Sequence, residues 1–170
     1  KAGLIADRGL FELFENHPID AFRNDQSLLN EAITRAIRVK ADVVERDERE
    51  SGERRKLNLG HTFAHAIEKC GNEFLHGEAV AIGTVMIARL SAHLGTATQD
   101  EADRVRRVFE RMGLPIRTEI DFKRLVKALK HDKKKEADSV SFVLLRGIGD
   151  CEIRRFTFDE IDRLPDPAAE

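Results

Sequence analysis

Apolar residues recur at helical spacing along almost the whole chain. Leu29, Ile33, Ala36, Ile37 and Val44 follow Ser27, a residue type suited to capping, and predict a helix over residues 28–47. Residues 76–94 are apolar on nearly all sides, the pattern of a central helix covered by its neighbours. Within it, Gly77 and Gly83 would let other helices approach closely, and Gly95 ends it. Thr98 with Glu101 three positions on forms a capping box. It opens a helix with the stripe Ala102, Val105, Phe109 and Met112, stopped by Gly113 and Pro115. Asp121 opens a further helix to about His131, and Thr157 with Glu160 caps a short last one. Only "SVSFVLLRGIGDCEIRRF" reads as extended, two short runs around Gly147 and Gly149. No internal repeat, low-complexity tract or linker interrupts the pattern. The expected fold class is mainly α: one domain over residues 1–170, a multi-helix bundle with a small β-hairpin near the C-terminus.

Composition narrows the function classes. At 170 residues and 41% hydrophobic content the chain can bury a core of ordinary size. Its 29 basic and 31 acidic residues are scattered and nearly cancel, which argues against nucleic acid or an anionic membrane as partner. Cys70 and Cys151 stand far apart with no second thiol beside either, so a reduced, cytoplasmic setting without disulfides is expected. The apolar run at 79–88 is too short for a membrane span, and no signal peptide is expected. The chain opens at Lys1 rather than at a methionine.

The chemistry concentrates where polar residues break the apolar pattern. On a helix over 28–47, Lys40 falls in the middle of the stripe Leu29, Ile33, Ala36 and Val44. Such a lysine either snorkels to water or aims its ammonium at an anionic ligand. Over residues 58–70, His61, His65 and Glu68 share one face, with Asn58 beside them if the helix starts early. Phe63, Ala66, Ile67 and Cys70 take the other face. Histidines at i and i+4 suit either one divalent metal or two structural hydrogen bonds. His76, across a turn and at the head of the most apolar helix, shifts the balance toward metal. The run "DERESGERRKLN" at 47–58 places acids, Arg54, Arg55 and Lys56 directly before the histidines. It reads as a solvated charged turn or as donors beside a metal, with Gly52 allowing a bend. The lysines of "HDKKK" carry the same two readings, surface or phosphate contact.

Taken together, "DERESGERRKLNLGHTFAHAIE", "LHGEAVAIG", "KAGLIADRGLFELFE" and "HDKKK…SFVLLRGIG" resemble the C-terminal domain of the 3-dehydroquinate synthases. These belong to the sugar-phosphate cyclases and depend on NAD and zinc. The resemblance covers most of the chain; Ala64 stands where many members have glycine. It implies that His61 and His76 are zinc ligands and that His65, with Asn58, contacts substrate phosphate. It implies that Lys40 and Arg54 hold the substrate carboxylate and neighbouring hydroxyls, and that Glu50 lies near those hydroxyls. Lys133 or Lys134 matches the phosphate-binding lysine. Lys1 matches the end of a "Glu-x-x-Lys" motif whose glutamate, the third zinc ligand, would lie three residues earlier. The implied substrate is 3-deoxy-D-arabino-heptulosonate 7-phosphate, cyclised in the shikimate pathway through oxidation, phosphate elimination, reduction, ring opening and aldol closure. The chain carries no Gly-rich nucleotide fingerprint, so the NAD-binding domain is expected outside it, in a homodimeric, cytoplasmic full-length enzyme. Two other readings stay in view: a related cyclase making a different cyclitol, or a metal-binding helical fragment without catalysis of its own.

Overall fold

A computed structural model describes residues 1–49, 52–71, 73–133 and 138–167, apart from the side chains of Asp132 and Lys133. Its elements are α1 (Ala2–Ile5), α2 (Arg8–Asn16), α3 (Ile19–Asn24), α4 (Gln26–Arg46), a 3-10 helix (Glu53–Asn58), α5 (His61–Cys70), α6 (His76–His93), α7 (Gln99–Arg111), α8 (Phe122–Lys133), β1 (Ser139–Leu145), β2 (Cys151–Thr157) and α9 (Phe158–Asp162). The strands form an antiparallel hairpin in which Ser139 faces Thr157 and Leu145 faces Cys151. The fold is therefore mainly helical with one C-terminal hairpin, as the apolar pattern leads one to expect.

The central helix is α6. It buries residues on every side, from Ala79 through Ser91, and packs against α5, α7 and β1. Phe63 of α5 and Phe142 of β1 are fully buried, their ring centres 5.4 Å apart, so the hairpin and α5 share one core. Ser91 ties this core together: its hydroxyl donates to the Ile87 carbonyl at 2.7 Å and accepts from the Leu145 amide at 2.9 Å. A buried polar group left without such partners costs about 1–3 kcal/mol, which explains why this one is doubly bonded. Both capping boxes are formed, at Thr98–Glu101 and Thr157–Glu160. Asp121 accepts from the Lys123 and Arg124 amides at the start of α8. Burial pushes the Cys151 thiol up to about 12, and both cysteines are free.

Three expectations need correction. The cap of α4 is Asp25, which accepts from the amides of Ser27 and Leu28, so Ser27 lies inside the helix. The buried face of α4 is Ala32, Val39 and Val43, whereas Ile33 and Ile37 are 48% and 62% exposed. Lys40 is exposed accordingly and sits in no buried stripe, because α4 packs through the neighbouring row of its surface. Finally, Gly83 lies at a close helix crossing but Gly77 does not: a β-carbon on Gly77 would meet nothing within 4 Å.

Helix α2 is held by two ion pairs to distant elements. Asp7 caps α2 at the Leu10 amide and receives Arg35 Nε of α4 at 2.8 Å. Glu15 takes a two-pronged contact from Arg104 of α7, at 2.8 and 2.7 Å. The facing arginines hold both carboxyls below their ordinary values of 3.8 and 4.5. A carboxyl with a depressed folded pKa contributes stability that is present above its unfolded pKa and lost as pH falls through the folded one. The share of the urea unfolding midpoint that these two pairs supply should therefore be constant above about pH 5 and be lost below about pH 4. An Arg104→Gln variant should start lower and lose less on acidification; an equal acid loss in both proteins would show that the Glu15 pair contributes nothing.

Candidate functional site

The site forms where α5 begins. The fully buried Leu59 anchors the chain, and Gly60 then turns it in the left-handed region at φ 81°. A β-carbon on Gly60 would lie 2.4 Å from Thr84 Oγ1 and 2.8 Å from the Val80 carbonyl. Only glycine fits both the dihedral and the contact. The start of α5 is thereby seated directly on the backbone of α6. The Gly60 carbonyl accepts from the Ala64 amide at 3.0 Å and leaves no space above Gly83.

This seating gathers three imidazoles. The ring centres of His61 and His76 are 5.4 Å apart, those of His61 and His65 5.7 Å, and those of His65 and His76 6.3 Å. The hydrogen bonds identify which ring nitrogens are available. His61 Nδ1 lies 3.2 Å from the Leu59 carbonyl, which can only accept, so the proton sits on Nδ1 and Nε2 carries the lone pair. His76 Nδ1 lies 2.8 Å from Glu68 Oε1, and an ionised carboxylate imposes the same tautomer. Burial lowers the pKa of His61, and the nearby Lys1, His65 and His76 lower it further against the Leu59 hydrogen bond. A neutral imidazole with a free Nε2 is the form a divalent metal needs.

The spacing separates the pairs. With zinc about 2.05 Å from each nitrogen, a tetrahedral pair of imidazoles has ring centres about 5.2 Å apart. The 5.4 Å of His61–His76 fits this. The 6.3 Å of His65–His76, with rings only 25° from parallel, would demand ligands on nearly opposite sides. The His61–His65 separation of 5.7 Å is intermediate. Among the described residues no group of three or more His, Cys, Asp or Glu side chains is arranged to hold a metal ion.

Cations lie beside the pair. The Lys1 ammonium has a lowered pKa, from burial first and then from the charge of Lys40, and it in turn acts on His61. Lys1 caps α1, its carbonyl accepting from the Leu4 and Ile5 amides. Thus Lys40, Lys1 and His61 form a connected electrostatic group. The charged turn is built around Asp47, which is 8% exposed and accepts from the Gly52 and Arg54 amides at 2.7 and 3.0 Å. The chain bends at Gly52, with φ −161° and ψ −87°, directly before the 3-10 helix, as the sequence leads one to expect. Arg54 donates to the Glu48 carbonyl at 2.9 Å, and Asn58 ends the 3-10 helix, exposed, three positions before His61. That helix packs on α1 and α4. Asn58 therefore precedes α5 rather than belonging to an early start of it. Glu50 and Lys134 lie outside the described residues, as does the side chain of Lys133, whose backbone ends α8. Glu68, on the face of α5 that carries His61 and His65, contacts His76, a pairing that the spacing along one helix does not reveal.

Among the described residues no helix is long and apolar enough to cross a membrane. The family model "3-dehydroquinate synthase C-terminal" matches residues 1–135. A 3-dehydroquinate synthase of Nitrosomonas europaea is 45% identical over 152 residues, covering 88% of this chain and 41% of that protein. One of Pseudomonas fluorescens is 47% identical over 161 residues, covering 90% and 43%. The chain thus spans less than half the length of these relatives. The solved 2-epi-5-epi-valiolone synthase of Streptomyces hygroscopicus, with NAD+ and Zn2+ bound, superposes with a TM-score of 0.81 at 28% identity, covering 96% of this chain and 47% of that one. A 2-deoxy-scyllo-inosose synthase shares the fold at a TM-score of 0.66 and 23% identity, covering 82% and 40%. The match to the family model, over more than half of the chain, and the fold shared with the cyclases agree: this chain belongs to the 3-dehydroquinate synthase C-terminal family.

Proposed function

We propose that this chain is the metal- and anion-binding domain of a 3-dehydroquinate synthase, which converts 3-deoxy-D-arabino-heptulosonate 7-phosphate to 3-dehydroquinate and phosphate. The observation that carries the reading is the His61–His76 pair, each ring committed at Nδ1 to an acceptor and left with a lone pair at Nε2. These two side chains would hold the zinc, with a third ligand from outside the chain. A bound zinc supplies Lewis acidity at a substrate hydroxyl, and NAD, held by a separate nucleotide-binding domain, supplies the transient oxidation.

The chain's own residues then hold and orient the substrate. Lys40 and Arg54 pair with its carboxylate and hydroxyls, and Glu50 lies near those hydroxyls. His65 and Asn58 donate to its phosphate, and Lys133 or Lys134 neutralises that dianion. Lys1, beside His61 and Lys40, contributes positive charge where the anionic substrate meets the metal. The complete enzyme is a cytoplasmic homodimer in this reading. Identities of 45% and 47% to 3-dehydroquinate synthases, against 28% to the valiolone synthase, favour this substrate over another cyclitol precursor.

The test is phosphate release from the heptulosonate phosphate with NAD+ and zinc. It should be run on this chain and on a chain extended by a nucleotide-binding domain of a close relative. Turnover is expected in the extended form and absent in the 170-residue chain. Turnover by the short chain alone would overturn the division of labour, and an extended chain active only on a different sugar phosphate would overturn the substrate.

A further inference from the structure

We propose that Glu68 is a positioning residue for the metal centre, fixing His76 as the Nδ1–H tautomer so that Nε2 faces the metal. This rests on the metal reading above. Glu68 lies on the same face of α5 as His61 and His65, one helical turn beyond His65. From there its Oε1 reaches His76 Nδ1 at 2.8 Å, linking α5 to the first residue of α6. The contact is more than a surface pairing in its consequences. The Glu68 and His76 side chains are 33% and 59% exposed, and a pair so open to water adds little to folding stability. Its effect falls instead on the ring.

An accepting carboxylate holds the proton on Nδ1, aims the plane of the imidazole and makes Nε2 more basic. His61 receives the same treatment from the Leu59 carbonyl, which cannot be lost by mutation. His76 stands at the head of α6 and is exposed, so it depends on a side chain for what His61 obtains from the backbone. The two histidines thus present matching tautomers through unlike means, and only one of those means can be removed.

The experiment uses the 170-residue chain, its Glu68→Ala and Glu68→Gln variants, and zinc as probe. Long-range nitrogen–proton NMR of the metal-free chain at pH 8 reads the tautomer of each histidine. Zinc titration followed on the His61 and His76 resonances reads affinity up to millimolar metal. The parent is expected to show His76 protonated at Nδ1. Glu68→Ala should shift it toward Nε2–H, leave His61 unchanged, and weaken zinc about tenfold or more. Glu68→Gln, whose amide oxygen still accepts, should keep the tautomer and lose only part of the affinity. Alanine and glutamine are both good helix formers, so α5 persists in either variant. Unchanged zinc affinity in Glu68→Ala, or a tautomer that does not respond, would overturn the inference while leaving the metal site standing. Failure of the parent to bind zinc at all, with the tautomer responding, would instead overturn the metal reading on which it rests.

Discussion

A Gly83→Ala variant is expected to lose about 2–4 kcal/mol of unfolding free energy, as overpacking against atoms that cannot yield. The added β-carbon would stand 2.2 Å from the Gly60 carbonyl oxygen and 3.0 Å from the Ala64 amide nitrogen. Both are backbone atoms. Gly60 cannot retreat, since its own left-handed turn is pressed against Val80 and Thr84. The variant must therefore push α5 away from α6, and with it His61 away from His76. Exchange of an interior helical glycine for alanine gains up to about 1 kcal/mol in propensity, less than the clash costs. Gly77→Ala is the natural control. It adds the same methyl to the same helix in open space, so it should be neutral or slightly stabilising. Urea unfolding of the two variants separates the effects, and equal midpoints would show that the α5–α6 crossing is looser than these contacts require.

That crossing also marks the limit of what periodicity reveals. Helix α6 was legible because its residues are apolar on every face, and such a helix has one place to be, the centre. The capping boxes were legible because Thr98, Glu101, Thr157 and Glu160 act on residues within one turn of themselves. Helix α4 was misjudged for a physical reason. It carries two adjacent apolar rows, Ala32, Val39 and Val43 beside Ile33 and Ile37, and the burial of one of them is decided by α1, α2, α3 and the 3-10 helix rather than by α4 itself. Lys40 moves from a buried stripe to the surface once that choice is made. The histidines repeat the lesson. Spacing along one helix points to His61 with His65, but the pair with metal-like separation, His61 with His76, comes from two helices. Their approach depends on Gly60 meeting Gly83, a contact with no period. Family resemblance named the pair because it carries tertiary information that the alternation of polar and apolar residues does not.

The histidines themselves supply the second large effect. Zinc affinity of this chain is expected to be weak, because two neutral ligands form half a tetrahedral site. Within that weak range the three imidazoles should separate sharply. His61→Ala and His76→Ala each remove one of the two nitrogens whose lone pairs the hydrogen bonds leave free, so each should lower zinc affinity about 100-fold or abolish it. His65→Ala should change it by less than about threefold, since the His65 ring lies 6.3 Å from His76 and nearly parallel to it. Acidification should weaken zinc in the parent, because protons compete for the same lone pairs. The pKa of His61 is lowered by burial, so that competition should set in at lower pH for His61 than for an ordinary histidine. Calorimetric titration of the three variants tests the assignment. A His65→Ala variant that loses zinc as completely as His61→Ala would place the metal between neighbouring turns of α5. The approach of α6 would then serve the substrate rather than the metal.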